Sequence, residues 1–383
     1  MIRRKILEAV LGGGLVASTL TGWADSASFE APGLDQWGYH RLGGVSAGSY
    51  ESAALFTKRE VSGSEEDRAA SYHVAYDLSA QIPTGLGATN YQIQSARLMV
   101  EVIEVSPAKD SGGNIIQEVV YDPTYDSWRT HLRSTATNYA TDHVADLDAG
   151  RPICLFGFGL SNGFTGFSFD DNEGVGTTAP LYNEFSNLMV ATTPPFPRNA
   201  FPLSFDTNGQ PIAVNNNVYD RMEANPWAVA IITNKSPGDV IAVGDHLVFD
   251  LDVNNPAIQA YLQQALHVGQ LGLIVSSLHH TPVDGFLRLA TNETFDKQGG
   301  RLDLTYTAPP FRLSLRLVNQ LPVLRFPGST NQTFHIQHSG NLINWETNTS
   351  PALTYPADGV VEWTDANSTA APKYYRVIQI TTP

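Results

Sequence analysis

The segment Arg301-Leu302-Asp303-Leu304-Thr305-Tyr306-Thr307 carries an apolar side chain at every second position. Leu98, Val100 and Val102 repeat the pattern within Leu98-Met99-Val100-Glu101-Val102-Ile103-Glu104-Val105, which follows Tyr91-Gln92-Ile93-Gln94. Successive side chains of a strand point to opposite faces. Period two therefore marks a strand with one face in a core and the other in water. Ala228 to Thr233, Val240 to Leu251 and Leu271 to Leu278 add apolar, β-rich runs bounded by Gly, Pro, Asn or Asp. Short strands separated by such turn clusters build sandwiches and jelly rolls. The chain is expected to be all-β.

One segment departs from this period. Asn255 followed by Pro256 suits a helix N-cap and first helical position. Ile258, Tyr261, Leu262, Ala265 and Leu266 then recur at helical spacing, and Gly269 can end the helix before Leu271-Gly272-Leu273-Ile274-Val275. The pattern predicts a single short helix over 256–267.

Composition narrows the function classes. Of 383 residues 42% are hydrophobic and only 16% charged, which is incompatible with a disordered chain. The formal charge of −15 disfavours nucleic acid and anionic membrane surfaces. A single cysteine, Cys154, excludes an intramolecular disulfide framework and any multi-thiolate metal site. Arg3, Arg4 and Lys5 precede an apolar stretch from Val10 to Leu20, and Gly22-Trp23-Ala24 offers a cleavage site before Asp25. Residues 1–24 thus read as a signal peptide, and the mature chain as exported without membrane insertion.

Removing that leader takes three basic residues and Glu8 with it, so the formal charge moves from −15 to −17. From Phe311 onward, Arg312, Arg316, Arg325, Lys373 and Arg376 stand against Glu346, Asp358, Glu362 and Asp365, a net of +1. The preceding segment therefore carries −18. Ala308-Pro309-Pro310 marks the step locally, because consecutive prolines cannot continue a central strand. The predicted organisation is a signal peptide at 1–24, an acidic jelly-roll-like β-sandwich with one short helix at 25–310, and a small Ig/fibronectin-like β-sandwich at 311–383.

Two resemblances follow from these residues. Ile93-Gln94-Ser95-Ala96-Arg97-Leu98, then Phe249-Asp250-Leu251-Asp252-Val253, the short helix, and Gly269-Gln270-Leu271-Gly272-Leu273-Ile274-Val275 resemble the DNRLRE-type secreted bacterial β-sandwich domain. The likeness covers about 70–310, interrupted by a long middle insertion, and falls mostly on packing residues. It implies a polysaccharide-binding or adhesin-like surface protein. Phe334-His335-Ile336-Gln337-His338-Ser339, Asn341-Leu342-Ile343-Asn344-Trp345, Val361-Glu362-Trp363-Thr364-Asp365 and Lys373-Tyr374-Tyr375-Arg376-Val377 resemble the small C-terminal β-sandwich module of exported bacterial proteins. That module accompanies many activities and implies an exported architecture, not a reaction.

Catalytic signatures are thin. Gly44-Val45-Ser46-Ala47-Gly48 and Gly159-Leu160-Ser161-Asn162-Gly163 spell G-x-S-x-G, but neither sits between a buried strand and a helix as a nucleophile elbow requires. His279-His280, and His335 with His338, fall at offsets that face opposite ways on a strand, which argues against zinc. Asp170-Asp171-Asn172-Glu173 is the densest oxygen-ligand cluster and the candidate site for a structural Ca2+, although its spacing is not that of an EF-hand. Sugar rings stack on exposed aromatic faces flanked by polar groups. Tyr121, Tyr125, Trp128 and Arg129, in a turn-rich string, are the leading ligand-binding candidates, with Trp37 and Trp227 behind them. Trp345, Trp363 and Tyr375 are expected to pack.

The sequence reading is an exported, non-catalytic protein that binds a polysaccharide or another cell-envelope component through its large sandwich. Two alternatives stay open: a polysaccharide-degrading enzyme, lyase or glycoside hydrolase, on a jelly-roll scaffold, and a structural surface or matrix protein.

Overall fold

The alternating segments are strands in the computed structural model, and the protein is mostly β, 52% strand against 7% helix, in several antiparallel sheets. The structure describes residues 6–9, 25–41, 44–48, 52–58, 68–125, 148, 150, 152–160, 200–214, 225–277, 285–308, 313–319, 321–328, 333–348, 352–357, 360–366 and 373–380.

The longest strand, Gln92–Ser106, organises the large sandwich. Along one edge Arg301–Thr307 pairs with its first half and Phe286–Leu289 with its second; along the other lies His246–Asp250. Asp25–Phe29 extends this sheet beyond Arg301–Thr307. A second sheet runs through Arg68–Asp77, flanked by Gln270–Ser276 and Leu34–Arg41. It continues through Cys154–Leu160 to Ala200–Phe205 and Pro211–Ala213 on one side, and to Gly44–Gly48 on the other. Ala53–Lys58, pairing with both Phe286–Leu289 and Arg68–Asp77, joins the two sheets at a corner.

The expected alternation places the core. Leu98, Val100, Val102, Leu302, Leu304 and Tyr306 point inward and are buried, while Arg97, Glu101, Arg301 and Asp303 point outward. Ile93 and Leu98 have opposite parity, yet both are buried. A register shift opposite Thr305 and Tyr306 inserts one residue between them, so a β-bulge turns two apparent segments into one strand. Facing them across the core are Tyr72, Val74, Leu155, Leu271, Leu273 and Val275.

The helix runs Pro256–Val268, with the Asn255 side chain accepting from the Ala257 N–H and Gly269 left-handed at φ 88°. Ile258, Leu262, Ala265 and Leu266 fill its inner face. Gln259 exchanges hydrogen bonds with both backbone groups of Ile93, and Gln263 donates to the Tyr91 carbonyl. The helix thus satisfies the strand start just ahead of the bulge.

Two of the expected runs are shorter than their hydrophobicity suggests. Only His246–Asp250 of the Val240 to Leu251 run is strand. Before it the Asp245 carboxylate accepts from the Ala242 N–H, and Gly244 turns at φ 90°. Of Ala228 to Thr233 only Ala228–Val229 pairs with Cys154–Leu160, after which Ile231 bridges to Val248. That run crosses from one sheet to the other, so its apolar residues serve two short contacts instead of one ladder.

The C-terminal strands form two further sheets. One is Ser314–Val318, Leu321–Pro327, Val360–Thr364 and Thr354–Ala357. The other contains Thr333–Ser339, Glu346–Asn348 and Tyr374–Ile380. Leu324, Phe326, Phe334, Ile336, Val361, Trp363, Tyr375 and Val377 form one core drawn from both, so Trp363 and Tyr375 pack as expected. Ile6–Ala9, within the predicted leader, pairs with the outer edge of Tyr374–Ile380, a pairing that a cleaved chain would lack.

Candidate functional site

Residues 291–300 enter Arg301–Thr307 through Thr291-Asn292-Glu293-Thr294-Phe295-Asp296-Lys297-Gln298-Gly299-Gly300, a loop dense in turn formers. The Thr294 hydroxyl accepts from the Thr291 N–H, and the Lys297 N–H bonds the Thr294 carbonyl, closing a tight turn. Asp296 sits in that turn at φ 56°, a left-handed conformation that costs a residue other than glycine free energy. Phe295 projects from the turn 86% exposed.

The loop is held from below. The wholly buried Asp35 carboxylate accepts from the Asn292 N–H at 2.8 Å and the Tyr72 hydroxyl at 2.9 Å. The Asn292 side chain donates to the Pro32 carbonyl and accepts from the Gly299 N–H, and the Tyr76 hydroxyl donates to the Gly300 carbonyl. Burial, and then the adjacent Asp35 charge, push both Tyr72 and Tyr76 well above the usual phenol range, so both remain donors. An exposed aromatic on a loop fixed by buried hydrogen bonds binds with little loss of its own freedom.

The residues that follow Phe295 in the loop line a groove of about 420 Å³. Met99 and Glu101 come from the outer face of Gln92–Ser106, Arg301 from the neighbouring strand, His246 from the strand on the other side, and Glu30 from the end of Asp25–Phe29. Asp296, Lys297, Gln298 and Gly299 supply the loop wall. Lys297 is paired with Glu101, and Arg301 grips Asp303 through Nε and Nη2 at 3.1 Å, with Glu30 3.6 Å away. Those carboxylates hold the Arg301 guanidinium charged beyond its ordinary range. The arrangement is a chiefly polar groove in which carboxylate acceptors and cationic donors surround Met99, walled by the loop that carries Phe295, and it suits recognition of a polyhydroxylated ligand.

The sequence candidates are placed differently. Tyr121 and Trp227 are 4% and 3% exposed and belong to the main core, a correction to their expected role as exposed stacking faces. Tyr121 lies in a turn-rich string, but its backbone N–H and C=O pair with Asp239 and Gly238, folding that loop onto the core. Trp227 packs edge-on to Tyr261 and parallel to Phe205. Tyr125 is half-buried against Cys154, Phe156 and Val214. Trp37 occupies the strand Leu34–Arg41, opposite Tyr72. Trp128 and Arg129, and the Ca2+ candidates Asp170, Asp171, Asn172 and Glu173, lie outside the described residues. Among the described residues no group of three or more His, Cys, Asp or Glu side chains is arranged to hold a metal ion. Ser46 lies within the strand Gly44–Gly48, and Ser161 lies outside the described residues.

A second polar pairing is buried. Ser71 Oγ and His73 Nε2 lie 2.7 Å apart, a contact that in an open cleft would pair a nucleophile with its base. Both residues are at most 1% exposed, and burial pushes the His73 imidazole down to about 3. An imidazole that weakly basic is poorly suited to take a hydroxyl proton, so the pair serves packing. Cys154, also buried, sits in the same sheet. A smaller crevice of about 230 Å³ between the helix and Cys154–Leu160 is chiefly apolar, with Tyr261 tied by its hydroxyl to Phe158 and Gly272.

Phe295 was not singled out in the sequence, although the signal was there. It is an aromatic amid turn formers, immediately before an alternating strand, the same logic that selected Tyr121 and Tyr125. Against known proteins, the chain matches no family model, no curated protein and no solved structure.

Proposed function

We propose that the protein is exported and binds a polysaccharide of the cell envelope or its surroundings, without catalysis, through the groove walled by the loop that carries Phe295. The observation that carries this reading is the exposed Phe295 on a loop anchored through buried Asp35, whose following residues line a groove of acceptors and donors. Aromatic rings bind sugars by covering their C–H faces, while side-chain carboxylates and cations bond the hydroxyls. The leader-like residues 1–24 and the likeness to DNRLRE-type domains support the same reading from the sequence.

Affinity electrophoresis of the purified protein through a panel of polysaccharides tests it. Retardation by at least one polymer is expected, with Phe295→Ala weakening it roughly tenfold or more and leaving the melting temperature unchanged. Binding to no polymer, or full retention by Phe295→Ala, would overturn this assignment. Release of reducing ends or unsaturated sugars during incubation would replace the binding reading with the degrading one.

A further inference from the structure

Recognition of polyanionic glycans depends on guanidinium or ammonium groups free to take a carboxylate or sulfate, often two-pronged. Among the described residues, the cations on this face are paired within the protein. Arg97 grips Asp250 through two bonds, at 2.6 and 3.0 Å, Arg301 is held by Asp303 and Glu30, and Lys297 by Glu101. Glu30, Glu101 and Asp296 outnumber Lys297 and Arg301 in the groove lining. The surrounding segment, residues 25–310, carries a formal −18. A polyanion would therefore meet repulsion at long range and, among the described residues of this face, no uncommitted cation on contact. Uncharged sugars meet the opposite situation, because their hydroxyls can donate to these carboxylates while Phe295 covers a ring face.

We infer that the groove selects uncharged polysaccharides and rejects polyuronates and sulfated polymers. This rests on the reading of the groove as a glycan site and adds to it the class of glycan. The ion pairs act as a selectivity device: they keep Arg301 and Lys297 oriented as hydroxyl donors while denying them to anionic sugars.

The test compares the purified protein and a Glu30→Gln/Asp303→Asn variant, which releases Arg301, against a neutral β-glucan, a neutral galactomannan, polygalacturonate and a sulfated galactan. The parent protein is expected to bind a neutral polymer with little dependence on salt and to ignore both polyanions. The double variant is expected to gain polygalacturonate binding by roughly tenfold, as one freed charge-assisted pair allows, with a gain that falls as salt rises. Glu30 and Asp303 are exposed, and Asp303→Asn alone serves as a second variant should the double one fold poorly. Preference of the parent for a polyanion, or no gain in either variant, would overturn the selectivity and leave the glycan reading standing. Binding to none of the four polymers by any form would instead count against the glycan reading itself.

Discussion

The two sheets of the large sandwich draw on similar residue types but meet different surroundings. In Arg301–Thr307 burial alternates residue by residue, and the outer face carries Arg301, Asp303 and their partners. In Cys154–Leu160, Gln270–Ser276 and the Ser71 to Tyr76 part of Arg68–Asp77, nearly every residue is buried on both faces. A sheet covered on both sides reads as a continuous apolar run, whereas a sheet with one wet face alternates. The contrast decides what solvent can reach: the open sheet and its entering loop are accessible, while the covered sheet keeps Ser71, His73 and Cys154 from solvent.

Three perturbations would break or sharpen this contrast. The largest effect is expected in the covered sheet, where an added Cβ at Gly157 would lie 2.2 Å from the Trp227 ring, closer than atoms can pack. Gly157→Val should cost about 3 kcal/mol or more through overpacking, read as a lower urea midpoint with an unchanged slope. A midpoint equal to the parent's would mean that Trp227 does not lie against that strand.

Per pH unit, the next effect comes from His73. Its folded-state value, about 3, lies below the ordinary 6.5, so below 6.5 the unfolded chain takes up a proton that the folded chain refuses. Stability should therefore fall as pH drops from 6.5 toward 3, by up to about 1.4 kcal/mol per pH unit from this group, and should be independent of it above that window. Denaturation at several pH values, compared with His73→Gln, isolates the contribution. An identical pH slope in both proteins would place His73 in contact with water.

The smallest effect belongs to the open face. Asp303→Ala removes a half-exposed partner of Arg301 and Ser28 and should cost no more than about 1 kcal/mol. A loss as large as that of Gly157→Val would show that the outer face is structural, not available for binding.

How much of this was legible in the sequence follows the same division. Period two in Arg301–Thr307, and the Asn255, Pro256 and Gly269 signals around the helix, are local and were readable because backbone geometry repeats over a few residues. The bulge joining Ile93 to Leu98 depends on a partner strand two hundred residues away, and a single segment cannot reveal it. Tyr121 and Trp227 illustrate the limit for site residues. Turn formers place an aromatic outside a ladder, but whether its loop folds inward is decided by remote backbone partners such as Gly238 and Asp239. The groove gathers Glu30, Met99, His246 and Arg301 from four separate strands or strand ends, so no spacing rule could assemble it.

The shared strand Gln92–Ser106 also has a consequence in time. Its partners, His246–Asp250, Phe286–Leu289 and Arg301–Thr307, all follow it by well over a hundred residues. Pairings across such separations form slowly, because the intervening chain must first be gathered. While the polypeptide is being made, Leu34–Arg41, Ala53–Lys58 and Arg68–Asp77 can pair among themselves, but Gln92–Ser106 has neither neighbour until nearly the whole sandwich has emerged. The large core is thus the last part of that sandwich to close around its longest strand.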